Sequence, residues 1–201
     1  MPPDWIHGER AELATSRLLD AAGELFADNG VRATTMSQVA ESAGCSRATL
    51  YNHFADRQAL EVAFVHRQAL RLSAEVAEAT DGIEDPGERA VAAFGFVLDA
   101  VRSDRVLMAW FSAPDVGLAT AISSDSEVLR AMSTAFAGRL VEGVPDAEIQ
   151  RRGRWLLRMI VSLLAMPEED PLEEQRLVED LIVPAVLTGR GSARTADPGG
   201  R

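Results

Sequence analysis

Between Ser46 and Phe54 the chain carries Arg47, Thr49, Tyr51, Asn52 and His53, all side chains that hydrogen-bond and one of them permanently cationic. On a helix, Leu50 and Phe54 lie four residues apart on one face and belong to a core, which turns the polar row outward. Such a row suits the major groove of duplex DNA, where base edges present donors and acceptors. The row needs a rigid mount, and the preceding residues supply one. Thr35 is a good N-cap, Met36, Val39, Ala40 and Ala43 recur at helical spacing, and Gly44 can take the left-handed conformation that ends a helix. Ser46 caps the next helix. Two short helices around a single Gly turn make a helix-turn-helix.

Thr34-Thr35, Val39-Ala40, Ala43-Gly44 and Thr49-Leu50-Tyr51-x-His53-Phe54-x-x-Arg57-x-x-Leu60 together resemble the DNA-binding domain of TetR-type transcriptional regulators. The resemblance covers residues 12–65 and departs from the family at Arg57, where Lys is common; charge is kept. It implies that Thr35, Tyr51, His53 and Arg57 touch phosphates and that Arg47, Thr49 and Asn52 face bases, with Ser46 beside them. Arg bonds guanine bidentately and Asn does the same to adenine.

The remainder of the chain is expected to be helical. Leu18, Ala21, Ala22, Leu25 and Phe26 form one apolar face that stops at Asn29-Gly30. A helix from Asp56 to Ala79 has two apolar stripes, Leu60 and Phe64 on one side and Val62, Val65, Ala69, Leu72 and Val76 on the other, so it joins two bodies. Pro86 opens a helix bearing Val91, Phe94, Val97, Leu98 and Val101. Ser103 is placed to cap a short helix through Phe111. A long segment after Pro114-Asp115, with a possible break at Ser123-Ser124-Asp125, ends near Gly143. Two strongly patterned helices close the body, and Pro184 should kink or shorten the second. The expected fold is all-α with about nine helices. A three-helix DNA-binding head (12–57) is joined by a long helix to a ligand-binding and dimerisation body (58–188), between a flexible N-terminus (1–11) and a disordered tail (189–201).

Composition narrows the alternatives. The net charge of -11 argues against a protein that coats nucleic acid, while residues 29–57 hold Arg32, Arg47 and Arg57 against Glu41 and Asp56, a net +1. Affinity must rest on few, well-placed contacts. Cys45 is the single cysteine, read as small, buried and inert, and it excludes a disulfide or a cysteine metal cluster. With no leader-like or membrane-spanning run, the expected location is the cytoplasm. His7, His53 and His66 are too scattered for a metal site, no catalytic nucleophile is identifiable, and neither an enzyme nor a cofactor is expected. The carboxylates from Glu168 to Glu174 complement a helix N-terminus. Arg151, Arg152, Arg154 and Arg158 are read as a solvated or salt-bridging face rather than as an anion site.

Two further expectations concern the body. By the resemblance, Phe94, Leu98, Met108, Trp110, Phe111, Met132 and Phe136 surround an apolar small-molecule effector among the central helices. Leu156, Met159, Ile160 and Leu163, with Leu177, Val178, Leu181 and Ile182, offer more apolar surface than one helical pair can hide and should form a two-fold interface. The expected function is a homodimeric repressor that binds a palindromic operator and is released by a ligand. The other reading is a helical small-molecule carrier that has lost DNA affinity.

Overall fold

The computed structural model describes residues 4–112 and 114–188, and among them every regular element is a helix. The head comprises α1 (Asp4–Asn29), α2 (Met36–Ser42) and α3 (Arg47–His53). Helix α1 begins at Asp4, so most of the segment expected to precede the head is helical backbone. Its run of helix formers, Glu9 to Leu13, carries no breaker. Thr35 and Gln38 form a capping box at α2, Gly44 follows with φ +68°, and the Ser46 hydroxyl accepts the Thr49 amide at 3.0 Å. Leu18, Phe26, Val31, Val39, Leu50 and Phe54 fill the core beneath.

The body contains α4 (Arg57–Ala79), α5 (Pro86–Ser103), α6 (Arg105–Met108), α7 (Val116–Asp125), α8 (Glu127–Leu140) and α9 (Asp146–Ala165). The cap of α6 is Asp104, whose carboxylate accepts the amides of Val106 and Leu107; Ser103 instead ends α5. Ser126 breaks the long expected helix into α7 and α8 by capping Leu129. The last helix runs from α10 (Pro171–Arg176) through a π-helical segment (Leu177–Ile182) into α11 (Val183–Leu187). Just before Pro184 the helix widens, the Val183 amide reaching back to Val178, and it ends at Leu187 soon after the proline. A widened turn accommodates the carbonyl that proline's ring would otherwise meet. The expected tail, 189–201, lies outside the described residues.

Two apolar cores result. The head core also takes Leu60 and Phe64 from α4, and Trp110, Ala119 and Ile122 from the body, while Phe111 packs against both cores. The body core includes Phe94, Leu98, Ala137, Leu156, Leu163, Val178 and Ile182. Helices α8 and α9 press backbone to backbone: a Cβ on Gly153 would lie 2.7 Å from the Thr134 backbone. Arg102 locks α5 to the last helix, donating to both Glu174 oxygens at 2.6 and 2.7 Å and to the Leu163 carbonyl at 3.1 Å.

Candidate nucleic-acid interface and ligand cavity

The buried Leu50 and Phe54 anchor α3 and leave Arg47, Thr49, Tyr51 and Asn52 exposed. The hydroxyls of Thr35, Ser46 and Thr49 already serve local caps, Thr35 with Gln38 at 2.8 Å and Ser46 with Thr49 at 2.9 Å. The half-buried His53 has its Nδ1 3.1 Å from the Thr15 hydroxyl of α1, which orients the ring. Cys45 is half-buried against the head core, less enclosed than expected, because it sits in the turn where α2 ends.

Arg57 departs from expectation. Its Nε donates to Glu61 Oε1 at 2.6 Å, and its terminal nitrogens donate to the carbonyls of Thr34 and Val31. Glu61 is itself buried, and the pair ties α4 to the segment that leads into α2. The guanidinium is turned towards the protein, where it meets a buried carboxylate and two loop carbonyls. Sequence reasoning missed Glu61, whose four-residue spacing from Arg57 was the available signal. Of the cations expected on this face, Arg47 is the one that stands exposed on α3, with Arg32 exposed beside α2 and 3.7 Å from Asp115.

Helix α4 runs from this head into the body. Leu60 and Phe64 are in the head core, and Val65, Ala69 and Leu72 line cavities beyond it. One cavity of about 140 Å³ is walled by Phe64, Leu72, Trp110, Phe111, Leu157 and Ile160. A neighbouring one of about 170 Å³ is walled by Leu72, Phe94, Met132, Phe136, Leu157 and Ile160. The two lie side by side, sharing Ala69, Leu72, Val97, Leu129, Leu157 and Ile160, and together line an apolar channel region between α4, α5, α8 and α9. Five of the seven expected lining residues border it: Phe94, Trp110, Phe111, Met132 and Phe136. Leu98 and Met108 do not. Leu98 is buried in the body core and Met108 packs against it, since both face away from α4. Trp110 is only 3% exposed, stacks on Phe64 at 5.8 Å and meets Phe26 edge-on at 5.4 Å. Its indole Nε1 is buried without a hydrogen-bond partner.

The expected interface residues separate. Leu156, Leu163, Val178 and Ile182 are buried within the body core of this chain, packed among α5, α8, α9 and the last helix. Ile160 walls the channel and Met159 is half-buried. Leu177 is half-buried, whereas Leu181 is 63% exposed, and Leu172 and Met166 are also exposed. The four α9 arginines divide as well. Arg151 pairs with Glu148 at 2.8 Å; Arg152 is buried, pairs with Glu148 and donates to the carbonyls of Val186 and Leu187 at the end of the last helix. Arg154 and Arg158 form no ion pair among the described residues and line a third cavity.

Among the described residues no three His, Cys, Asp or Glu side chains could hold a metal, and no helix is long and apolar enough to cross a membrane. Residues 18–63 match the family model described as bacterial regulatory proteins, tetR family. An uncharacterized HTH-type transcriptional regulator of Mycobacterium tuberculosis, Rv1255c, is 37% identical over 193 residues, 96% of this chain and 95% of the relative. The fold is shared with the TetR family repressor AlkX from Dietzia sp. (TM-score 0.64, 23% identity, 86% of this chain and 97% of that one). It is also shared with Thermus thermophilus FadR, a TetR family repressor in complex with lauroyl-CoA (TM-score 0.60, 22% identity, 92% and 100%).

Proposed function

The chain belongs to the TetR family of transcriptional regulators, and from that membership we propose that it is a cytoplasmic, homodimeric repressor released from a palindromic operator by a largely apolar small molecule. Residues 12–57 read DNA: Arg47, Thr49 and Asn52 address base edges. Thr35, Ser46, Tyr51 and the free Nε2 of His53 address phosphates and set register. Residues 58–188 bind effector and partner. Leu181, Leu172 and Met166, which remain exposed after the monomer has folded, with the half-buried Leu177 and Met159, supply the subunit contact.

The observation that carries this reading is the double duty of α4, which is built into the head core through Leu60 and Phe64 and walls the apolar channel through Val65, Ala69 and Leu72. A ligand that fits better when α4 is displaced weakens operator binding by the same coupling free energy. The T. thermophilus neighbour, crystallised with lauroyl-CoA, supports an apolar chain as the kind of guest this fold admits.

The test is footprinting on the DNA flanking the gene, combined with sedimentation. A dimer that protects a palindrome supports the reading. A monomer at micromolar concentration, or equal affinity for random duplexes, overturns it.

A further inference from the structure

The third cavity, of about 280 Å³, opens between α7, α8 and α9, and its walls differ from those of the channel. Arg130, Arg154 and Arg158 converge on it with the hydroxyl-bearing Ser123 and Ser162, and no described lining residue is acidic. In a chain of net charge -11, three arginines lining one half-open cavity, Arg154 and Arg158 exposed and Arg130 half-buried, with no carboxylate in the described wall, make a local reversal of sign. Arg154 and Arg158 form no ion pair among the described residues. Arg130 has only Glu127, 3.6 Å away and almost fully exposed, and a 3.5 Å contact to the Ser124 carbonyl. By contrast, Arg57 is paired with Glu61, Arg102 with Glu174 and Arg152 with Glu148.

The basic cavity adjoins the apolar one. Ser123, Leu157 and Val161 line both it and the chamber bordered by Trp110, and Leu157 also borders the chamber that contains Phe136. A single elongated molecule could therefore place one end among guanidiniums and the other among aromatic and aliphatic side chains. Guanidinium forks match carboxylate and phosphate oxygens and keep their charge at any working pH. The hydroxyls of Ser123 and Ser162 add donors that a neutral hydrocarbon would leave unused.

We propose that Arg130, Arg154 and Arg158 form the headgroup site of an amphiphilic effector, a linear hydrocarbon chain ending in a carboxylate or a phosphate whose tail occupies the α4–α5–α9 channel. This rests on the ligand-responsive reading above and names the class of ligand.

Calorimetric titration of the full chain with dodecanoate, dodecyl phosphate and the neutral dodecanol, all below their micelle concentrations, tests it. Both anions should bind at least about tenfold tighter than the alcohol, the order expected for a charge-assisted pairing. The preferred anion identifies the headgroup. The double variant Arg154→Gln, Arg158→Gln should lose that preference, keep dodecanol affinity within about twofold and retain operator binding without ligand, which shows that it is folded. Dodecanol binding as tightly as the anions and releasing DNA equally well would overturn the headgroup site and leave the ligand-responsive reading intact. Binding of no probe would overturn both. If the double variant became monomeric while the anion preference persisted, the arginines would belong to the subunit contact and the proposal would fall.

Discussion

The Asp115 carboxylate accepts the Val31 amide at 3.0 Å. Asp115 stands just before α7 yet makes no cap bond to that helix; its second oxygen accepts the Arg32 amide at 3.0 Å. A buried carboxylate of the body is thereby committed to the loop that leads into α2. Asp115→Ala would leave two amides short of an acceptor, at a cost of about 2–3 kcal/mol. Chemical denaturation should show that loss, and hydrogen exchange at Val31 and Arg32 should accelerate more than at Leu50. Unchanged exchange at those two amides would refute the link.

Arg47 and Arg57 should behave oppositely, although both are cations of the head. Arg47→Ala is expected to cost about 1–3 kcal/mol on operator DNA and to relax specificity at one base pair, with little change in stability. Arg57→Ala leaves Glu61 buried and uncompensated, so it should destabilise the fold by about 3 kcal/mol while the salt slope of DNA binding stays nearly constant. Equal losses on specific and random DNA for the Arg47 variant would remove it from base readout.

Trp110 separates packing from ligand response. Trp110→Phe keeps a ring against Phe26 and Phe64 and deletes the unpartnered indole N–H, so thermal stability should be close to wild type. Trp110→Ala opens a cavity inside the head core and should cost about 3–5 kcal/mol, with operator affinity falling even without ligand. A thermal melt that falls as far for Phe as for Ala would contradict this.

Leu181 and Leu163 distinguish surface from core. Leu181→Asp should dissociate the dimer in sedimentation while the circular dichroism spectrum holds. Leu163→Asp should unfold the chain, because an unpaired carboxylate would enter the body core. A Leu181→Asp protein that sediments as a dimer would place the subunit contact elsewhere.

Acid should loosen the last helix first. The Arg102 guanidinium, through its hydrogen bonds, holds the Glu174 carboxyl below the ordinary 4.5 in spite of partial burial. A depressed carboxylate contributes stability that is complete above the unfolded value and lost as pH falls through the folded one. Wild type should therefore exceed Glu174→Gln in stability at pH 7 and lose that advantage below about pH 4.5, the ordinary value, as melts across the range would show.

What was legible in the sequence was local. Thr35, Gly44, Ser46, Asp85 before Pro86, and Asp170 before Pro171 announce helix ends through bonds made within three residues, and the structure has them all. The internal bonds of Arg57 were not legible because its partners are partly distant: Glu61 is one turn away, but the Val31 and Thr34 carbonyls reach it only through the tertiary fold. Periodicity marks Leu156, Leu163 and Leu181 as apolar alike, and only the tertiary placement of neighbouring helices such as α5 and α8 decides that two are covered and one is not. Arg154 and Arg158 differ from Arg152 by their angle around one helix, which a composition-level reading of a basic run averages away.

The absence of a side chain at Gly153 has a mechanical consequence for how any guest could be accommodated. With no Cβ there, α8 and α9 are packed so closely that neither can slide or tilt without one backbone running into the other. They behave as one stiff plate along the channel. Volume taken up by a guest must then come from the opposite wall, α4, which rests on softer side-chain contacts and carries the head at its far end. On the proposed ligand-responsive reading, the yielding side of the pocket would be the side attached to the head, and a filled channel would do its work there instead of being absorbed within the body.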